Sequence, residues 1–205
     1  HAKRYAEKMT HELGLNAKSL VIEVASNDGY LLKNFVAAGI PCLGIEPTDS
    51  TAVAAEQLGI PVLREFFGEA LGQQLTSKGQ QADLIAGNNV YAHVPDINDF
   101  TRGLKAALKP GGTITLEFPH LMRLIEQAQF DTVYHEHFSY LSLQTVSRIF
   151  AAAGLRSSSE VRRAALAVGV DVPSEATISP VSRMDEITQN SSRSFIMMLE
   201  LLNLN

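Results

Sequence analysis

Residues 20–46 constrain the fold of this chain more than any other stretch. An apolar, β-branched run at 20–24 breaks into the polar turn 26–29, and a helical pattern follows at once and stops near Gly39. A second short apolar run ends at Glu46. Strand, turn, helix and strand in this order form the unit that builds parallel sheets, so the stretch predicts an α/β protein.

The rest of the chain repeats this alternation. Further strands are predicted at 61–63, 82–86 and 113–118, with helices between them and a strong turn at Lys109-Pro110-Gly111-Gly112 before the last. We therefore predict a doubly wound, Rossmann-like, mostly parallel sheet with helices on both faces. This domain is expected to cover residues 1–156, and residues 157–205 are expected to form an atypical tail with weak periodicity.

The first turn indicates which ligand the sheet binds. A helix that starts directly after a strand offers unpaired N–H groups, Gly29 permits positive φ, and Glu46 can accept hydrogen bonds from two ribose hydroxyls. The G-x-G-x-x-G pattern that approaches a pyrophosphate is absent, and Asp28 would repel a phosphate. These features favour S-adenosyl-L-methionine, which has a ribose and an amino-acid tail but no phosphate. The alternative is an ordinary turn between a core strand and a helix.

Several candidate cofactor-binding residues are expected at one edge of the sheet, because ligands of such sheets lie beyond the carboxyl ends of the strands. The candidates are Glu23, Ala25, Asn27, Asp28, Gly29, Glu46, Pro47, Phe66, Phe67, Asn88 and Asn89. Two pairs among them have a second interpretation. The two phenylalanines could sandwich adenine or belong to the core, and the two asparagines could contact the cofactor or simply form a turn.

Composition excludes several classes of protein. The net charge of −5 argues against a general nucleic-acid binder, and one cysteine, Cys42, excludes an internal disulfide and a cysteine-rich zinc module. No run is long and apolar enough to span a bilayer, and no signal peptide is evident. We therefore expect a cytoplasmic protein whose partner is a small molecule, with no nucleic acid and no membrane.

Several motifs resemble those of the class I S-adenosylmethionine-dependent methyltransferases. They are residues 23–29, Gly44-Ile45-Glu46-Pro47, residues 88–96 and the Pro-Gly-Gly turn after Leu108. Two further stretches, Glu117-Phe118-Pro119-His120-Leu121 and residues 130–140 with their Tyr-His-Glu-His run, resemble the C-methyltransferases of nucleotide-linked 4-keto-deoxyhexoses. The resemblance covers roughly residues 1–156 and implies a nucleotide-sugar substrate.

The resemblance also implies a catalytic set. His137 would be the general base that removes a proton next to a ketone, with Glu136 and Tyr134 in substrate contact or proton handling. If the segment is extended, His135 and His137 share one face and Tyr134 and Glu136 share the other, although a turn would break that pattern. A metal site with Glu136, His120 or His93 as third ligand, and a purely structural hydrogen-bonded loop, are the alternatives.

The tail departs from the family pattern. A second domain that opens with a Gly-Gly-Ser strand would be expected, yet the chain continues as Ser157-Ser158-Ser159-Glu160 after Arg156. The tail is interpreted as divergent, truncated or read out of frame. Two rival functions therefore stand beside C-methylation: a non-catalytic fragment that still binds cofactor, and an NAD-dependent nucleotide-sugar oxidoreductase on a similar fold.

Overall fold

One sheet organises the part of the chain that the computed structural model describes, residues 1–157 and 199–202. Its strands are β1 Val21–Val24, β2 Cys42–Ile45, β3 Val62–Leu63, β4 Ala82–Asn88, β5 Leu108–Glu117, β6 Arg156–Ser157 and β7 Leu199–Leu202. The helices are α1 Ala2–Leu13, α2 Leu32–Ala37, α3 Asp49–Gln57, α4 Glu69–Ser77, α5 Ile97–Ala107, α6 Leu121–Glu126 and α7 Leu143–Ala152.

The strand order is β3-β2-β1-β4-β5-β7-β6. Strands β1 to β5 run parallel to one another. Strand β7 lies between β5 and β6 and is antiparallel to both. Because β1 and β4 are adjacent, the chain winds outward in both directions from them, and the crevice of a doubly wound sheet opens at their carboxyl ends. The predicted doubly wound sheet is confirmed.

Each face of the sheet has its own apolar core. One core packs α4, α5 and α7 against the sheet through side chains such as Leu75, Phe100 and Phe150, which are at most 2% exposed. The other packs α1, α2 and α3 through side chains such as Tyr5 and Phe35. The two sets confirm the prediction of helices on both faces, since buried strands in a parallel sheet need cover on each side.

The predicted turn at Lys109–Gly112 lies inside β5 instead of before it. Leu108 already pairs with Ala82, and the regular register resumes with Thr113 beside Leu84. The intervening residues leave the ladder, and Gly111 has a φ of +76°. The turn chemistry was therefore correctly predicted, but the strand begins before it because the apolar Leu108 is buried on the sheet.

The tail predicted at residues 157–205 lies outside the described residues except for Ser157 and Leu199–Leu202, whose backbones extend the sheet. Its interpretation as divergent, truncated or out of frame stays a prediction. In the described ranges, no helix combines the length and the apolar character that crossing a membrane requires.

Helices α4 and α5 pack backbone against backbone. A Cβ atom added to Gly103 would lie 2.5 Å from the carbonyl oxygen of Gly68 and 2.6 Å from its carbonyl carbon. Neither atom belongs to a flexible side chain, so a larger residue has to push the helices apart. This contact fixes α5, and α5 supports the loop that follows β4.

Gly103→Ala is therefore expected to lower the free energy of unfolding by about 3 kcal/mol, because overpacking a tight contact costs that much. Urea denaturation followed by circular dichroism measures it. The control is Gly79→Ala, where φ is +68° but no atom lies within 4 Å of the new Cβ. Backbone strain alone predicts a loss of about 1 kcal/mol there. Equal losses in the two variants would contradict the close-packing explanation.

Candidate active site

The turn after β1 has an unusual backbone. Ala25, Asn27 and Gly29 all have positive φ, at +57°, +50° and +78°. Gly29 also packs closely against α3, because a Cβ atom there would clash with the side chain of Ile60 and lie 3.2 Å from the Cβ of Ala55. The predicted positive φ at Gly29 is confirmed, and its lack of a side chain serves the packing of the turn on α3.

Glu46 lies at the carboxyl end of β2 and is held by the neighbouring backbone. Its Oε2 accepts a hydrogen bond from the N–H of Asn27 at 3.0 Å, and its Oε1 accepts one from the N–H of Thr48 at 2.9 Å. The side chain is 8% exposed. Each carboxylate oxygen keeps a further lone pair, so the fixed group can still accept hydrogen bonds from a ligand.

Glu23 is a buried carboxyl group in the middle of the sheet, 4% exposed. Asn88, at the end of β4, donates its Nδ2–H to Oε1 of Glu23 at 3.1 Å. The other oxygen, Oε2, has no hydrogen-bond partner among the described residues. Burial raises the pKa of Glu23 to about 8, with a smaller upward contribution from Asp28 and an opposing one from the Asn88 hydrogen bond.

The raised pKa of Glu23 predicts how stability depends on pH. The folded protein binds this proton up to about pH 8, whereas the unfolded chain loses it near pH 4.5, so stability falls as pH rises through that window. Glu23→Gln is expected to remove the fall and to gain on the order of 4 kcal/mol over the native protein at pH 8.5. Thermal unfolding at several pH values tests it. The exposed control Glu65→Gln should show the same dependence of melting temperature on pH as the native protein. If Glu23→Gln also shows that dependence, the prediction is refuted.

The other candidate cofactor residues occupy different environments. Asp28 is exposed, and its Oδ1 accepts the N–H of Tyr30 at 3.1 Å. Asn89 is exposed with a φ of +49°, and its N–H donates to the carbonyl of Glu117 at 2.9 Å. Pro47 is partly buried beside Glu46. Asp28 and Asn89 thus contribute to turns at the sheet edge, and both residues are exposed.

Phe66 and Phe67 do not form a pair. Phe66 is 87% exposed, whereas Phe67 packs edge-on against Phe100 with ring centroids 5.2 Å apart. The core interpretation therefore describes Phe67 in this structure. Phe66 projects from the loop after β3 and presents an aromatic face to solvent.

The second half of the site is the segment after α6. The N–H of His137 donates to the carbonyl of Tyr134 at 3.1 Å, which closes a turn over Tyr134–His137. The turn breaks the alternation expected of an extended segment and brings Tyr134 onto His137, with ring centroids 4.3 Å apart. His135 and Glu136 are exposed, while His137 is 9% exposed.

The contacts of His137 define its tautomer. Its Nδ1 lies 2.8 Å from the carbonyl oxygen of Thr132, which can only accept, so Nδ1 carries the proton. In the neutral imidazole Nε2 then has a free lone pair and accepts a hydrogen bond from the Tyr134 hydroxyl at 3.2 Å. An imidazole in this tautomer, with Nε2 facing a hydroxyl, is arranged as a proton acceptor.

His93, one candidate third ligand of the alternative metal site, packs against His137. Its ring stands edge-on to His137 with centroids 4.6 Å apart, and burial and the proximity of His137 lower its pKa. Its Nε2 is buried without a hydrogen-bond partner among residues 1–157. The 3-10 turn Tyr91–His93 also holds the segment that follows Tyr134, because the carbonyl of Ala92 accepts the N–H groups of Phe138 and Ser139.

The structure therefore brings the predicted residues together in two groups. Asn27, Glu46, Glu23 and Asn88 bridge the carboxyl ends of β1, β2 and β4 through hydrogen bonds. Tyr134, His137 and His93 form an aromatic cluster attached to the loop after β4. No group of three or more potential ligand side chains arranged to hold a metal ion occurs within the described residues.

Comparison with known proteins identifies the family. A family described as "Methyltransferase domain" matches residues 1–160. The C-methyltransferase NovU of Streptomyces niveus is 34% identical over 156 residues, which are 76% of this chain and 37% of that relative. The chain thus spans less than two fifths of that relative's length.

Solved structures share the fold at low sequence identity. A SAM-dependent methyltransferase from Archaeoglobus fulgidus is 14% identical with a TM-score of 0.58, over 76% of this chain and 70% of that one. Magnesium protoporphyrin IX methyltransferase from Synechocystis PCC 6803 with bound SAM is 11% identical with a TM-score of 0.60, over 98% of this chain and 79% of that one.

The chain belongs to the methyltransferase domain family. The class predicted from its motifs, a class I S-adenosylmethionine-dependent methyltransferase, is confirmed, and so is the predicted cofactor at the level of the family.

Proposed function

We propose that this chain transfers a methyl group from S-adenosyl-L-methionine to a carbon atom of a nucleotide-linked 4-keto-deoxyhexose. The similarity to a C-methyltransferase supports transfer to carbon. The single observation that carries the base assignment is the tautomer of His137, because its unprotonated Nε2 can accept the proton of an acidic C–H group.

The residues at the ends of β1, β2 and β4 suit the proposed cofactor. Glu46 is held by backbone N–H groups and would accept the two ribose hydroxyls. The unpartnered Oε2 of Glu23 is a buried acceptor suited to the amino-acid end. Asn27, Asp28 and Gly29 would contact the cofactor from the turn, with Ala25 and Pro47 close by in sequence. Asn88, Asn89 and Phe66 would add contacts from the regions where β4 and β3 end, whereas Phe67 packs on Phe100 and would support Phe66 from the core.

The side chains of the protein would act mainly in removing the proton from the substrate carbon. The Tyr134 hydroxyl now occupies Nε2 of His137 and has to turn away when the substrate C–H group approaches. The freed hydroxyl can then donate to the enolate oxygen as the C–H bond breaks and Nε2 takes the proton. When bound, the cofactor supplies an electrophilic methyl group that needs little activation. The exposed side chain of Glu136 would contact the sugar.

The proposed domain organisation follows the same division. Residues 1–156 would bind the cofactor and contribute the base, and residues 157–205 would form an atypical tail. Strand β7 lies within residues 157–205 and pairs with β5 and β6, so part of the proposed tail would complete the sheet of the first domain.

Methyl transfer is tested by incubating the protein with S-adenosylmethionine and a nucleotide-linked 4-keto-deoxyhexose, with mass spectrometry as the readout. We expect the sugar to gain the mass of one methyl group. The matched control is the same sugar reduced to the 4-hydroxyl, which cannot form an enolate and should stay unmethylated. Methylation of both sugars would contradict enolate chemistry.

Thermal unfolding separates the rival functions. S-adenosylmethionine should raise the melting temperature and NAD should not, because the glycine pattern for a pyrophosphate is absent. Stabilisation by NAD alone would favour the oxidoreductase. Stabilisation by S-adenosylmethionine without methyl transfer to any keto-sugar would favour the non-catalytic fragment.

A further inference from the structure

Glu23 is a buried ionisable group whose protonation state the proposed reaction leaves unexplained. It pairs along the sheet with Gly44 of β2 and Ala86 of β4, two residues before Glu46 and Asn88 respectively. Its side chain therefore lies one step below the rim at which those two polar groups lie. Asn88 satisfies one of its oxygens, and the other has no partner among the described residues.

Taken together, burial and the groups that face Glu23 disfavour a negative charge there, although the Asn88 hydrogen bond opposes the other effects. Asn88 contributes a neutral amide from β4, and Asp28 contributes a like charge from the turn. Cys42 of β2 contributes a thiol whose pKa is raised to about 12 by burial and by Glu23 itself, so it stays neutral. A carboxyl group in these surroundings holds its proton at neutral pH, and it ionises only when a cation arrives.

The amino-acid end of the cofactor supplies such a cation. We propose that Glu23 gives up its proton when the α-ammonium group of the cofactor binds, so that cofactor binding and release are coupled to proton exchange with solvent. This inference rests on the proposed function. The balance is simple: the neutral acid and the ammonium ion become a carboxylate–ammonium pair, and one proton passes to the buffer.

The coupling makes affinity depend on pH. Below the pKa of Glu23, each bound ammonium group displaces one proton, so affinity rises tenfold per pH unit by linkage. S-adenosylhomocysteine keeps the amino-acid end of the cofactor, whereas 5′-methylthioadenosine has the same nucleoside and thioether without that end. The pair separates the amino-acid end, with its ammonium and carboxylate groups, from the nucleoside contacts, and Glu23→Gln then tests whether Glu23 is the group that releases the proton.

Isothermal titration calorimetry of both compounds at pH 6 and pH 7 tests the proposal, in two buffers with different ionisation enthalpies. S-adenosylhomocysteine should bind about tenfold more tightly at pH 7 and release about one proton per site. Methylthioadenosine should show neither effect. In Glu23→Gln, the pH dependence of S-adenosylhomocysteine binding should disappear, because the amide has no proton to release.

The outcomes separate this inference from the proposed function. If both compounds bind and S-adenosylhomocysteine shows no pH dependence, the coupling is wrong and the cofactor site stands. A pH dependence that survives in Glu23→Gln, or that methylthioadenosine shares, would assign the proton to another group and overturn the inference. If neither compound binds, the proposed cofactor site itself fails.

Discussion

His137→Ala is expected to lower kcat by roughly 100- to 10,000-fold, the usual contribution of a positioned general base, while leaving the Kd for S-adenosylmethionine near that of the native protein. The expectation follows from the two hydrogen bonds of the ring. The Thr132 carbonyl fixes the proton on Nδ1, and Nε2 faces the Tyr134 hydroxyl. Removing the ring removes the proton acceptor without touching the β1–β2 edge.

The measurement is the initial rate of methyl transfer to the keto-sugar, together with cofactor titration of the same variant. The matched control is His135→Ala. His135 lies two residues away in the same turn but is exposed, so its replacement should change neither quantity by more than a few-fold. The assigned role would be refuted if His135→Ala lowered the rate as much as His137→Ala does. It would also be refuted if His137→Ala weakened cofactor binding as much as it lowers the rate.

The cofactor half of the site was predictable from sequence because its residues follow strands directly. The apolar runs at 20–24, 42–46 and 82–86 correspond to β1, β2 and β4, and the side chains after each run meet at one edge. Parallel pairing forces this arrangement. The link between Asn27 and Glu46, 19 residues apart, needs only that geometry.

The half of the site that contains the proposed base was less predictable, because its arrangement depends on a turn with no glycine and on a distant contact. Residues 134–137 contain no turn signal, so an extended segment was as reasonable as the turn that places Tyr134 on His137. The proximity of His93 to His137 joins residues 44 positions apart. Such contacts depend on how the loop after β4 packs against residues 134–137. No local sequence pattern indicates that packing.

Burial was the other property that sequence could not supply. Glu23 was a candidate because of its place on the first strand, yet its neutral state at pH 7 follows from its surroundings in the folded sheet. Phe66 and Phe67 are chemically identical neighbours, and only packing against Phe100 distinguishes them. Tertiary packing thus gives two identical side chains different environments.

Glu46→Ala is expected to weaken S-adenosylmethionine binding by about 1.5–3 kcal/mol, since hydrogen bonds to a charged acceptor are stronger than neutral ones. This corresponds to a rise in Kd of roughly 10- to 150-fold. The carboxylate is already oriented by the N–H groups of Asn27 and Thr48, so the ligand does not have to order it. Turnover at saturating cofactor should stay close to native, because His137 belongs to the other group of residues.

Asp49→Ala is the control for charge. Asp49 begins α3, three residues after Glu46, and its side chain is 87% exposed, so its removal changes the net charge equally without touching the crevice. Calorimetric titration of the two variants should show weakened binding for Glu46→Ala alone. If both variants bind the cofactor as tightly as the native protein, Glu46 only stabilises the turn through its hydrogen bonds to Asn27 and Thr48, and other residues bind the ribose.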